Sequence, residues 1–214
     1  VAESGLFITF EGGEGSGKST QTRLLAGHLE RAGRRVVALR EPGGTPLGEE
    51  LRKLLLHQPE PASPEAELLM FLAARAELVS KVIRPTLQAG DAVICDRFSD
   101  STIAYQGYGR GLDPEAIRTL NRWATGGLQP DLTVLLDVPS GVGRERKHQD
   151  DDLFIRESDS FHVRVREGYR YLAAREPERW LVIDGTEAPE QIAVRVWERV
   201  QEIEGALSAD RRQA

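Results

Sequence analysis

Nine residues near the start of the chain carry the densest chemical signal. Gly12-Gly13-Glu14-Gly15-Ser16-Gly17-Lys18-Ser19-Thr20 matches G-x-x-x-x-G-K-S with one further threonine, and it follows directly on an apolar run that ends in Phe10-Glu11. A glycine-rich turn lets consecutive backbone N–H groups converge on phosphate oxygens, and a helix opening behind it turns unpaired N–H groups and the positive end of its dipole toward the same anion. Lys18 adds a mobile charge for β- and γ-phosphates, and the Ser19 hydroxyl is spaced to hold Mg²⁺. A chance glycine-rich turn between a strand and a helix is the bland alternative. The spacing, the Lys-Ser pair and the flanking patterns coincide, so a nucleoside triphosphate is the ligand expected.

Further along, two apolar runs end in acid, Ala92 to Asp96 and Leu132 to Asp137. Either acid could complete a magnesium site. Asp96 is preferred because Arg97 follows it at once, which sets an anion and a cation together where open α/β sheets bind ligands. Asp137 could instead cap a helix starting near Pro139. Arg40 closes another apolar run, and Arg75 stands four residues after Phe71, so ring and guanidinium share a helix face. Arg40, Arg75 and Arg97 could grip a second phosphate bidentately, with a base stacked on Phe71. The alternative is a core phenylalanine and a surface ion pair. The guanine-reading N-K-x-D of switch GTPases is absent.

Positioning these groups requires alternating elements. Leu6 to Phe10, Val36 to Leu39, Ala92 to Cys95, Leu132 to Leu136 and Leu181 to Ile183 are strand-sized apolar runs without clean alternation, the pattern of strands covered on both faces. Helical spacing fills the intervals at Gly17 to Ala32, Ala66 to Val79, Pro114 to Ala124, Phe161 to Ala174 and Glu190 to Ile203. The expected fold class is α/β, a five-stranded parallel sheet flanked by helices. At 214 residues one domain is expected, spanning 1–207, with Gln58 to Pro64 read as a loop and 208–214 as a frayed polar tail.

The formal net charge of −6 disfavours a nucleic acid polymer as partner. A single cysteine, Cys95, allows no intrachain disulfide, fits a reducing compartment, and reads most simply as a small buried hydrophobe. The start of the chain lacks a secretory pattern, and no apolar run reaches membrane-spanning length. No membrane association is expected, and the cytoplasm is the default location.

Arg40-Glu41-Pro42-Gly43-Gly44-Thr45, Asp96-Arg97-Phe98 with Ser101 and Ala104-Tyr105-Gln106-Gly107, and Pro130-Asp131-Leu132-Thr133 running to Asp137, together with the glycine-rich loop, resemble the bacterial thymidylate kinases in order over nearly the whole chain. The resemblance implies the P-loop NTPase fold of nucleoside monophosphate kinases, ATP as phosphoryl donor, Mg²⁺, dTMP as acceptor and a homodimer. It implies that Lys18 holds the donor phosphates, that Ser19 and Asp96 serve magnesium, and that Arg40, Arg75 and Arg97 hold the acceptor phosphate. It also implies that Phe71 stacks on thymine, that Ser101 and Gln106 approach the base, that Tyr105 crowds the 2′ position of the sugar, and that Glu14 lies near the 3′-hydroxyl. A kinase for another nucleoside monophosphate, or a nucleotide-binding protein without turnover, are the alternatives.

The chain also departs from that family. Its glycine-rich loop has Gly15 after Glu14 where some members place an arginine, so a lid segment near 143–157 is expected to supply the charge. Arg146 and Arg156 are the candidates for contact with the transferred phosphoryl group. Arg144 and Asp184-Gly185-Thr186 are the candidates for the donor base. If Glu157 matches the family's lid glutamate, Phe154 and Ile155 stand where an Asp-Arg pair is usual, and Leu78 stands where relatives commonly carry His.

Overall fold

A computed structural model of the chain describes residues 5–57, 60–145 and 153–213. Five parallel strands form one sheet in the order β2-β3-β1-β4-β5. They are β1 (Leu6–Glu11), β2 (Val36–Arg40), β3 (Ala92–Asp96), β4 (Leu132–Asp137) and β5 (Trp180–Asp184). Each contains one of the apolar runs and extends it at its C-terminal end by one charged residue: Glu11, Arg40, Asp96, Asp137 or Asp184. The apolar residues of β1, β3 and β4 are buried between helical layers, those of the edge strands β2 and β5 are partly exposed, and the charged residues gather at the carboxyl edge.

The connections are helical, as parallel pairing requires. They are α1 (Lys18–Arg31), α2 (Pro46–Leu56), α3 (Pro64–Leu78), α4 (Arg84–Gln88), α5 (Ser99–Thr102), α6 (Pro114–Thr125), α7 (Ser140–Glu145), α8 (Asp159–Arg175) and α9 (Pro189–Gln213). Local sequence explains several ends. Thr45, Ser63, Asp113 and Ser158 cap their helices with side-chain oxygens, three of them ahead of a proline in the first turn. Two wide helical turns interrupt the pattern, Val79–Ile83 after α3 and Ile103–Gly109 after α5, and the second carries Tyr105 and Gln106. Such π turns recur at functional sites because they re-aim side chains. The backbone of 208–213 is part of the helix α9. Its Ala, Asp, Arg and Gln residues include no helix breaker.

Three apolar clusters hold the layers together. One, with Phe10, Leu29, Ile94, Leu136 and Val196, packs α1 and α9 on one sheet face. A second, with Phe7, Leu78, Cys95 and Phe98, packs the turn after α3 on the other. Cys95 is a fully buried member of it, whose thiol burial pushes up. Leu78 is also buried there, and a side chain at Gly44 would strike its Cδ1 at 2.7 Å, so Leu78 braces the turn after β2. The third cluster joins α3, the wide turn at Ile103–Gly109 and α8 beside the cleft described next. Among the described residues no helix is long and apolar enough to cross a membrane.

Candidate active site

A cleft of about 790 Å³ opens at the carboxyl ends of the strands. Its size suits small-molecule ligands. One end is built by the glycine-rich loop and the start of α1. Gly12 adopts φ 139°, where a Cβ would meet the Leu136 carbonyl oxygen at 2.6 Å, so this position requires glycine. Gly15, at φ 67°, would drive a Cβ into the Gly143 carbonyl of α7. The phosphate loop and the start of the lid segment are therefore in backbone contact.

Lys18 is buried and folded back over the loop, with Nζ donating to the carbonyls of Gly13 at 2.8 Å and Gly12 at 3.2 Å. Burial, reinforced by Arg97, lowers its pKa to about 8, so the group is still mostly charged at pH 7. Ser19 Oγ donates to Asp96 Oδ2 at 2.7 Å. The two groups named from the sequence as a magnesium pair are thus brought together from α1 and β3.

At the other end, the register of β2 with β3 sets Arg40 beside Asp96, and that of β1 with β3 sets Phe10 there. Arg40 lines the cleft and leans on Glu49 at 3.3 Å, with 58% of its side chain exposed. Arg97 follows β3 in a left-handed conformation, φ 73°, unusual for a residue with a side chain. Its Nη1 donates to Gly12 O at 3.0 Å and its Nη2 to the Tyr105 hydroxyl at 3.0 Å, and it forms a short ion pair with Glu14. The Tyr105 hydroxyl donates to the same Glu14 oxygen at 2.9 Å, and the guanidinium lies 4.8 Å from the Tyr105 ring centre. Glu14, Arg97 and Tyr105 therefore form one unit facing the cleft.

Phe71, half-buried, lines the same wall as Gln106 and Phe154. Gln106 is buried and donates to Glu67 at 2.7 Å, and Glu67 in turn accepts from Arg110 Nη2 at 3.0 Å and Nε at 3.2 Å. Phe154 has its ring 6.0 Å from Phe71 and 5.5 Å from Tyr105, centre to centre, and makes an apolar corner of the pocket. Phe154, which stands at a departure from the family's lid pattern if Glu157 matches its glutamate, therefore places its ring on the cleft wall.

Three of the expected site residues have other partners or positions in the structure. Arg75 lines the cleft floor with its guanidinium bonded within the protein. Its Nε and Nη2 donate to Glu41 at 2.9 and 2.5 Å, Nη1 to Thr102 and Asn121 at 2.7 Å each, and Nη2 also to Phe98 O at 3.0 Å. Those contacts use all the N–H donors a guanidinium has. Ser101, expected at the base edge, is buried and turns its hydroxyl to Glu11 at 2.5 Å, although it still borders the cleft. Arg156 is exposed and is not among the residues lining the cleft. Arg146 and the side chain of Arg144 lie outside the described residues, as does most of the lid segment.

Gly185 and Thr186 line the far end of the cleft, in the turn where Asp184 accepts from Thr186 N at 2.9 Å and Thr186 Oγ1 at 2.6 Å. Asp137 forms a two-point ion pair with Arg166 of α8, Nε at 2.5 Å and Nη2 at 3.0 Å. The sequence reading assigns no role to Glu11, Glu41, Glu67, Arg110 or Tyr169, and notes Phe154 only as a departure from the lid pattern. Only Glu11 and Glu41 had a local signal, as charged residues ending or following a strand beside a recognisable motif.

The thymidylate kinase family model matches residues 10–196. A thymidylate kinase of Synechococcus sp. (strain JA-3-3Ab) is 56% identical over 196 residues, covering 92% of this chain and 95% of that protein. One of Thermomicrobium roseum is 53% identical over 200 residues, covering 92% and 95%. The crystal structure of thymidylate kinase from Ehrlichia chaffeensis superposes with a TM-score of 0.76 at 39% identity, over 92% of this chain and 98% of that one. A glycine-rich loop and the bonded pair Ser19 and Asp96 at one end of a cleft, with cations and an aromatic wall at the other, thus occur in a sequence similar to these enzymes along nearly its whole length, and the chain belongs to the thymidylate kinase family.

Proposed function

We propose that the protein transfers the γ-phosphoryl group of ATP to dTMP, giving dTDP and ADP. The observation that carries this reading is the continuity of the cleft. Lys18, Ser19 and Asp96 at one end and Arg40, Arg97, Phe71, Tyr105 and Gln106 at the other line a single space, so two nucleotides can meet end to end.

A phosphate monoester has its second pKa near 6 and is mostly deprotonated at pH 7. The acceptor oxygen therefore needs no general base, and none of His28, His57 and His162 lines the cleft. What the residues supply is position and charge. The loop N–H groups and Lys18 hold the donor phosphates. Arg97 and Arg40 hold the acceptor phosphate and offset its repulsion from the donor, while Phe71 and Phe154 bound the base and Gln106 presents an amide to its edge. Tyr105 narrows the space at the sugar, so that a ribose hydroxyl would be crowded or left unpaired.

Ser19 and Asp96 fit Mg²⁺ by chemistry, being two hard oxygen donors already 2.7 Å apart beside the phosphate loop. Among the described residues no cluster of three or more His, Cys, Asp or Glu is placed to cage a metal, which suits an ion held largely by substrate phosphates. When bound, the ion would draw charge from the phosphate oxygens.

A homodimer and a cytoplasmic location belong to the same proposal. Leu69 on α3 and Trp123 on α6, 59% and 83% exposed, offer apolar surface on two helices that pack together. The decisive experiment is a coupled assay of ADP formation with dTMP, dUMP, AMP, GMP and CMP as acceptors. The highest kcat/KM is expected for dTMP, and a better acceptor among the others would overturn the assignment.

A further inference from the structure

Glu11 ends β1, and none of the phosphate chemistry above uses it. Its side chain is 0% exposed. A buried carboxylate is costly unless donors surround it, and here three do. The Phe98 backbone N–H donates to Oε1 at 2.8 Å, while the hydroxyls of Ser101 and Tyr169 donate to Oε2 at 2.5 and 2.8 Å.

The same two hydroxyl oxygens, 2.8 Å from each other, face Arg97 on their other side. Nη1 of Arg97 lies 3.2 Å from Tyr169 Oη and 3.4 Å from Ser101 Oγ. When ionised, the carboxylate only accepts, so it turns both hydroxyl protons toward itself and leaves their lone pairs toward the guanidinium. The bond from Phe98 N–H also fixes the backbone immediately after Arg97, whose φ of 73° carries a conformational cost that the surroundings must offset. Side chain and backbone of Arg97 are thus held from one point.

We infer that Glu11 is a positioning residue for phosphoryl transfer, acting through the Phe98 N–H and the Ser101 and Tyr169 hydroxyls to fix the guanidinium of Arg97 toward the acceptor phosphate. This rests on the reading above that Arg97 meets that phosphate. The amide of Glu11→Gln keeps the shape but brings donors of its own, so one hydroxyl can turn its proton toward Arg97. Tyr169→Phe removes one of the two bridging oxygens and leaves the ring in place.

The test is steady-state kinetics with dTMP and ATP on Glu11→Gln, Tyr169→Phe, the double variant and Arg97→Ala, with melting temperature and ATP affinity measured on each. Both single variants are expected to lower kcat by roughly 10- to 100-fold, the scale of a small misplacement of a reacting group. ATP affinity should be unchanged. In the double variant the loss should approach that of one single variant, because both act through the same guanidinium. Wild-type kcat per folded site in Glu11→Gln, with only a lowered melting temperature, would overturn the inference. Should that variant not fold, wild-type kcat in Tyr169→Phe would overturn it alone. Arg97→Ala keeps the two readings apart: turnover retained there removes the role of Arg97 itself, whereas turnover lost there but kept in the Glu11 and Tyr169 variants removes only the positioning role.

Discussion

Arg75 and Glu41 form a buried ion pair in which Nε and Nη2 of the arginine both donate to a single carboxylate oxygen, Oε2, at 2.9 and 2.5 Å. The arginine is 1% exposed and the glutamate 5%. The pair ties the motif after β2 to α3, and Thr102, Asn121 and Phe98 O complete the arginine's shell.

Removing one partner of such a pair strands the other's charge in a poorly solvated place. Arg75→Ala should therefore destabilise the fold by about 3–5 kcal/mol, read as the change in urea unfolding free energy. A variant with unaltered stability that loses only dTMP affinity would return Arg75 to the role of a phosphate ligand.

Phe71 presents a half-buried ring to the cleft, next to Phe154. A stacking contact of about 0.5–1.5 kcal/mol beyond area burial means that Phe71→Ala should raise KM for dTMP several-fold, with a smaller effect on KM for ATP. Initial-rate kinetics with each substrate varied decides this. Equal KM for dTMP in both proteins would make Phe71 a packing residue for the lid side of the pocket.

Burial, with Asp100 nearby, pushes the Glu11 carboxyl from its ordinary 4.5 up to about 7, against the hydrogen bonds from Ser101 and Tyr169 and the charge of Arg97. Between these values the folded protein binds more protons than the unfolded chain, so the contribution of this group to stability falls as pH rises from 4.5 to 7. The total is about 3 kcal/mol, an order-of-magnitude figure. Glu11→Gln should remove that slope. Its melting temperature relative to wild type should increase between pH 5 and 7.5, and parallel melting curves across that window would count against a raised Glu11.

Gly15 and Gly143 approach so closely that a side chain on either would strike the backbone of the other segment. Gly15→Ala should push α7 from the phosphate loop, at a packing and backbone cost of about 1–3 kcal/mol, and weaken ATP binding. Calorimetric titration of ATP and a thermal melt together check this, and wild-type values in both would mean that the loop yields freely.

The sequence by itself determined the five strands, the long helices α1, α3, α6, α8 and α9, and the phosphate loop, but not α2 or the short helices. Each depends on neighbours within a few positions: an apolar run such as Ala92 to Cys95, the helical spacing of Ala66 to Val79, or the glycines around Lys18. Even the pairing of Ser19 with Asp96 was legible, because parallel strands deliver their C-terminal residues to one edge. What only the tertiary structure decided was how the cations are spent. Arg75 stands at a local spacing from Phe71, which by itself suggests a phosphate clamp. Its partner Glu41 lies 34 residues away, and proximity across that interval follows from the packing of α3 on the turn after β2. In the same way Ser101 turned to Glu11, which is 90 residues distant, and Glu67 took up both Gln106 and Arg110. A residue's type shows that it carries charge or a hydroxyl. Which group neutralises or orients it depends on which burial the folded chain imposes, and that information lies in contacts between segments far apart in sequence.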